Sequence, residues 1–210
     1  MAPEVLQLPL FTPREALVRR ARLLAWTSLG WHLVEAAVAA AAGVAAGSIA
    51  LVGFGGDSLI EAAAAAVVLW RFSSGQERRA QRLIGASFLV LAAYVGFEAV
   101  RSVATGEHPD TSIVGIALAA VTLVAMPPLA AAKTRVGEAL ASSATASEGR
   151  QNMVCAYLSA ALLVGLGLNA LFGWWWADPA AALAVAAVAV REGRQAWRGE
   201  GCCSDPACAC

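Results

Sequence analysis

Six stretches of this chain are so long and so apolar that few folds in water remain open to it: about Leu23–Ala46, Ile49–Trp70, Leu83–Ala104, Ser112–Ala132, Thr145–Phe172 and Trp175–Val190. Crossing roughly 30 Å of hydrocarbon takes about 20 such residues. A backbone in lipid must also satisfy its own hydrogen bonds, which a helix does. The composition agrees, being 59% hydrophobic and only 14% charged. The expected fold class is an all-α membrane protein of six transmembrane helices, a multi-pass protein of the cell membrane whose constant partner is the lipid bilayer. Residues 1–22 form an N-terminal segment, 23–197 the six-helix domain and 198–210 a Cys-rich tail, which leaves no room for a soluble domain of ordinary size.

Basic residues orient the spans. Arg14, Arg19, Arg20 and Arg22 precede the first, and Arg71, Arg78, Arg79 and Arg82 separate the second from the third. Lys133, Arg135 and Arg150 lie between or at the ends of the fourth and fifth, and Arg191, Arg194 and Arg198 follow the sixth. The alternate connections, Gly47-Ser48, Thr105–Thr111 and Gly173-Trp174, hold no Lys or Arg. Positive charge stays on the cytoplasmic side, so both termini are expected there, with Arg101 snorkelling from the end of the third helix beside Glu98. The first span is longer than a signal-peptide core and contains His32 and Glu35, so it is expected to remain in the mature protein.

Asp57 and Glu61 stand one helical turn apart within the second span. A charge at bilayer depth costs roughly 2.5–3.5 kcal/mol even on a lenient scale, and these two share a helix face. A cation, a proton or a basic partner must compensate them, and no Lys or Arg falls inside an apolar span at similar depth. A cation pathway is the leading reading, the other being a structural carboxyl pair held neutral by protonation. His32 and Glu35, three apart, make either an auxiliary proton or metal site or an interhelical hydrogen bond. Pro127-Pro128 is expected to bend the fourth helix, and Trp174-Trp175-Trp176 suits a membrane interface.

The string Gly47-Ser-Ile-Ala-Leu-Val-Gly-Phe-Gly-Gly-Asp57-Ser-Leu-Ile-Glu61 resembles the second-helix signature of the cation diffusion facilitator family. Further likenesses follow in register: Tyr94-Val-Gly-Phe-Glu98-Ala-Val-Arg101 at the third helix, Ala144 to Cys155 at the fifth, and Trp176-Ala-Asp178-Pro179 with Glu192-Gly193 at the sixth. The resemblance runs from about Arg22 to Trp197. It implies a six-helix transporter of zinc-type divalent cations, with two transport-site ligands on the second helix and two on the fifth. Those positions are Asp57 and Glu61, then Gln151 and Cys155. The last pair departs from the usual His and Asp, since Gln is a weak ligand and a thiolate a strong, soft one. Homodimerisation is the family expectation, and the cytoplasmic domain that commonly supports it is expected to be missing after Trp197.

Cys202, Cys203, Cys208 and Cys210 crowd the last nine positions. On a reducing cytoplasmic face such thiols more often bind metal than form disulfides, so the tail is expected to capture a soft ion; otherwise it is incidentally Cys-rich.

The expected function is transport of a divalent heavy metal such as zinc, cadmium or cobalt, by exchange against protons that exports metal from the cytoplasm. Metal and proton would be the exchanged partners, and no cofactor beyond the transported ion and no nucleic acid is expected. A membrane metal-binding or metal-sensing protein that moves nothing is the alternative. An enzyme is not expected, because there is no His-rich cluster, phosphate loop or Ser/His/Asp set, and Cys155 has no His in its own helix.

Overall fold

In a computed structural model, which describes residues 13–74, 77–106 and 108–198, every apolar stretch is helical and most helices run past the apolar residues that announce them. The elements are α1 (Pro13–Ala46), α2 (Ile49–Ser74), α3 (Glu77–Thr105), α4 (Ile113–Ala139), α5 (Ser143–Phe172) and α6 (Ala177–Arg198), with no strand among the described residues. Five contain a stretch long and apolar enough to cross a membrane: Arg14–Ala46, Ile49–Ala66, Gly85–Thr105, Ile113–Ala139 and Glu148–Phe172. The expected sixth span is helical from Ala177 but stands apart from these, because Asp178 sits near one end of α6 and Arg191, Glu192, Arg194 and Arg198 crowd the other.

The distribution of side chains fits a lipid solvent. Large apolar groups such as Trp26, Val44, Val90, Phe97, Val124, Val164 and Leu171 face outward, while the interior is rich in alanine and holds buried Ser, Thr, His, Asn, Asp, Glu and Lys. In water an exposed apolar surface of this kind would drive association; in a bilayer it needs no partner. The chain is a membrane protein.

Local signals set the helix ends. Ser112 caps α4 by accepting from the Gly115 N–H at 3.1 Å, and Ser142 caps α5 by accepting from Thr145 N–H. Gly173 ends α5 in the left-handed conformation. Gly47, at φ 65°, makes the turn between α1 and α2.

The most extensive contacts pair α4 with α5, α1 with α2, and α3 with α6. At Gly55 α2 presses against α1: a Cβ there would lie 3.0 Å from Ala40 N and 3.2 Å from the Ala36 carbonyl oxygen. Small residues permit this backbone approach and bring polar side chains of neighbouring helices within reach. The main core joins Leu51, Phe54, Val95, Met126, Cys155, Leu162, Leu166 and Val185 from five helices.

The end of the bundle that carries the α1–α2 turn is fastened by polar contacts. Asp178, at the start of α6, accepts from the Ser48 hydroxyl and from the Ala50 N–H at 3.4 Å. Asn169 donates to the Pro109 carbonyl at 2.9 Å, and His108 stacks on Trp175 at 4.9 Å. The expected Glu98–Arg101 pair forms at 2.8 Å.

Lys133, expected between or at the ends of the fourth and fifth spans, lies in the last two turns of α4, which continues to Ala139, and it is fully buried with its ammonium on Glu148 of α5. A carboxylate partner and the Asn152 side chain make that burial tolerable. The four tail cysteines lie outside the described residues.

Candidate functional site

The second helix buries both of its acidic residues, Asp57 and Glu61. Their neighbourhoods differ. Glu61 belongs to a buried group with His32, Glu35 and Cys155, whose potential ligand atoms all lie within 4.8 Å of one another. At 1.5 Å per residue, these four sit roughly 17–26 Å from the helix ends nearest the α1–α2 turn, which is mid-depth for a bilayer.

Spacing within each helix explains who faces whom. His32 and Glu35, three apart on α1, share a face, and His32 Nδ1 lies 3.1 Å from Glu35 Oε2. The same nitrogen is 3.3 Å from Glu61 Oε2, and the Cys155 sulfur lies within 4.8 Å of the Glu61 carboxylate. Glu35 also accepts from Ser58 on α2 at 3.0 Å and from Thr122 on α4. Three helices thus satisfy Glu35.

Glu61 is left short. Its Oε2 is close to His32 but has no hydrogen bond of adequate geometry among the described residues, although the residue is only 6% exposed. Such an atom costs about 1–3 kcal/mol or more when left unpaired, and more when the group is charged. The other buried side-chain atoms without a partner among the described residues are Ser28 Oγ and Trp31 Nε1 on α1 and Glu148 Oε2 on α5.

A polar chain leads away from the group. Asn152 places its Nδ2 3.1 Å from His32 Nε2, and its Oδ1 accepts from Lys133 Nζ at 3.0 Å. Lysine only donates, which fixes the amide orientation; Nε2 of His32 is then the acceptor and Nδ1 carries the proton. Glu148, on the far side of Lys133, ends the chain.

Of the residues expected to form the transport site, Glu61 and Cys155 are brought together across α2 and α5. Asp57 is buried one turn from Glu61 and stands outside the group of four, and Gln151 is half-buried one turn from Cys155. His32 and Glu35 stand inside it. The sequence signal for them is the one that marks Asp57 and Glu61: titratable residues one turn apart in an apolar span.

No protein-family model matches the chain. Over 181 residues it is 28% identical to a protein of Synechocystis sp. (strain ATCC 27184 / PCC 6803 / Kazusa) named an uncharacterized transporter. The match covers 80% of this chain but only 58% of that relative's length.

Proposed function

We propose that this chain is a transporter of divalent heavy-metal cations of the zinc, cadmium and cobalt type, acting by exchange against protons to export metal from the cytoplasm. The observation that carries the reading is the convergence of Glu61 and Cys155 at mid-depth between α2 and α5, with a buried carboxylate oxygen that has no hydrogen bond among the described residues. The likeness of the second-helix string to cation diffusion facilitators and the similarity to a protein named a transporter support it.

In the proposed cycle the ion enters from the basic, cytoplasmic end and is held by Glu61 and Cys155, with Asp57 and Gln151 one turn away on its path. The site cannot be left with bare buried carboxylates, so an ion that departs is replaced by protons. Coupling between metal release and protonation follows from that charge balance. Six spans with both termini inside, a possible dimer formed through membrane contacts, and capture of ions by the tail cysteines belong to the same proposal.

The test is uptake of zinc, cadmium, cobalt, manganese and iron into proteoliposomes of the purified protein under an imposed pH gradient. Flux of zinc, cadmium or cobalt that collapses with the gradient is the expected result. No flux of any of these ions would leave a metal-binding or sensing protein in its place.

A further inference from the structure

We propose that the first helix supplies half of the metal site: His32 and Glu35 of α1 bind the ion together with Glu61 of α2 and Cys155 of α5, making a four-ligand centre of one nitrogen, one sulfur and two carboxylates. This rests on the transporter reading but differs from the ligand set that the family resemblance implies, which lies on α2 and α5 alone. The grouping of four ligand atoms within 4.8 Å and the unpartnered Glu61 Oε2 aimed into that group are two separate observations. Bonds of roughly 2.0–2.3 Å to zinc give a tetrahedron with edges of about 3.3–3.8 Å. The widest separation therefore needs to close by about 1.0–1.5 Å, shared between two side chains and within rotamer adjustment.

The donor set predicts the cargo. Imidazole and thiolate suit zinc, cadmium and cobalt(II), whereas magnesium, calcium and manganese prefer all-oxygen shells of higher coordination number. Moving Glu61 toward a metal also supplies the partner that its Oε2 lacks.

The imidazole must change tautomer to serve. Nδ1 faces the carboxylates and carries the proton in this structure, while Asn152 donates to Nε2. For Nδ1 to ligate, the proton moves to Nε2 and Asn152 turns its amide so that Oδ1 accepts it. That rotation brings the amide NH2 round to face Lys133, also a donor, so the ammonium must turn away from Asn152 and stay on Glu148 alone. Asn152 is thus a positioning residue, the outer partner that orients a ligating histidine.

The experiment uses the full chain in detergent with Cys202, Cys203, Cys208 and Cys210 changed to Ser, so that tail thiols do not contribute. The chain has two histidines, and His108 is stacked on Trp175 at the bundle end. X-ray absorption of bound zinc therefore reports His32 through its imidazole scattering, with His108→Gln as the control. Imidazole scattering in the parent and in His108→Gln, absent in His32→Gln, is expected, as is zinc affinity weakened by about tenfold or more in His32→Gln and Glu35→Gln. Bound zinc without imidazole, zinc that does not bind, or unchanged affinity in both α1 variants would overturn the proposal. If His32→Gln fails to fold, the parent and His108→Gln spectra alone decide. Failure of the ligand set would leave the transporter reading standing if wild-type protein still moves zinc and Glu61→Gln does not; failure of that reading is seen in the flux measurement itself.

Discussion

Asp178 and Glu61 are both buried carboxylates in a lipid-facing bundle, and they are treated in opposite ways. Asp178 sits at the N-terminal end of α2, where the Ser48 hydroxyl and the Ala50 N–H donate to it and Ser48 Oγ in turn accepts from Leu51 N–H at 3.1 Å. Helix N-termini favour negative charge, so everything around Asp178 answers its needs. Glu61 lies in mid-helix, beside a second carboxylate and a thiol, with one oxygen unanswered. The first arrangement ties α6 to the α1–α2 turn and is complete. The second awaits a cation or protons, and incompleteness in a buried polar group is what separates a site from a strut.

The sharpest way to break the contrast is Glu61→Gln. Zinc flux per folded molecule should fall by more than about a hundredfold, since even the outer partners of metal ligands are worth roughly 10–100-fold in affinity. Near-normal flux would place the ion elsewhere, with Asp57→Asn as the next variant to assay.

A third buried ion, Lys133, extends the comparison, because its direct ion pair is with Glu148. Lys133→Met leaves Glu148 uncompensated and should destabilise the fold by about 3–5 kcal/mol, whereas Lys133→Met with Glu148→Leu should recover most of that loss. Thermal unfolding in detergent reads both. Equal stability of the single variant and the parent would mean that Glu148 finds another partner.

Asp178→Asn should act on stability alone. Losing a charge-assisted acceptor at Ser48 and Ala50 costs about 1–3 kcal/mol, with flux per folded molecule unchanged. A selective loss of flux would make Asp178 part of the transport cycle. At Cys155, replacement by Asp exchanges a soft ligand for a hard one and should shift preference from cadmium toward cobalt and manganese, read as the order of competing ions in the flux assay. Deleting Cys202–Cys210 should have the smallest effect, lowering flux only when cytoplasmic metal is scarce.

Much of this molecule is legible in its sequence, for a physical reason: hydrocarbon tolerates few structures, so long apolar runs become helices. The turn at Gly47-Ser48, the Asp178-Pro179 start of α6 and the Glu98–Arg101 pair all stand where residue chemistry places them. Helix ends were less legible. Hydrophobicity reports lipid contact and not helicity, so α1 begins ten residues before Leu23 and α4 carries Lys133 inward past Ala132. The site was half legible. Spacing puts Asp57 and Glu61 on one face of α2, but which turn of that face meets α1 and α5 depends on how closely the helices pack, as at Gly55. His32 and Glu35 announce themselves only as a pair; their joining with Glu61 and Cys155 is a tertiary fact.

The most direct measurement of the contrast is the zinc-induced rise in thermal midpoint, in the background with the tail cysteines changed to Ser. A ligand that binds only the folded state stabilises it by about 2.7 kcal/mol at a hundred times its Kd. The parent and Asp178→Asn should both gain stability with zinc, the latter from a lower starting point, while Glu61→Gln should start near the parent and gain almost nothing. A zinc shift that survives in Glu61→Gln and disappears in Asp178→Asn would contradict the account.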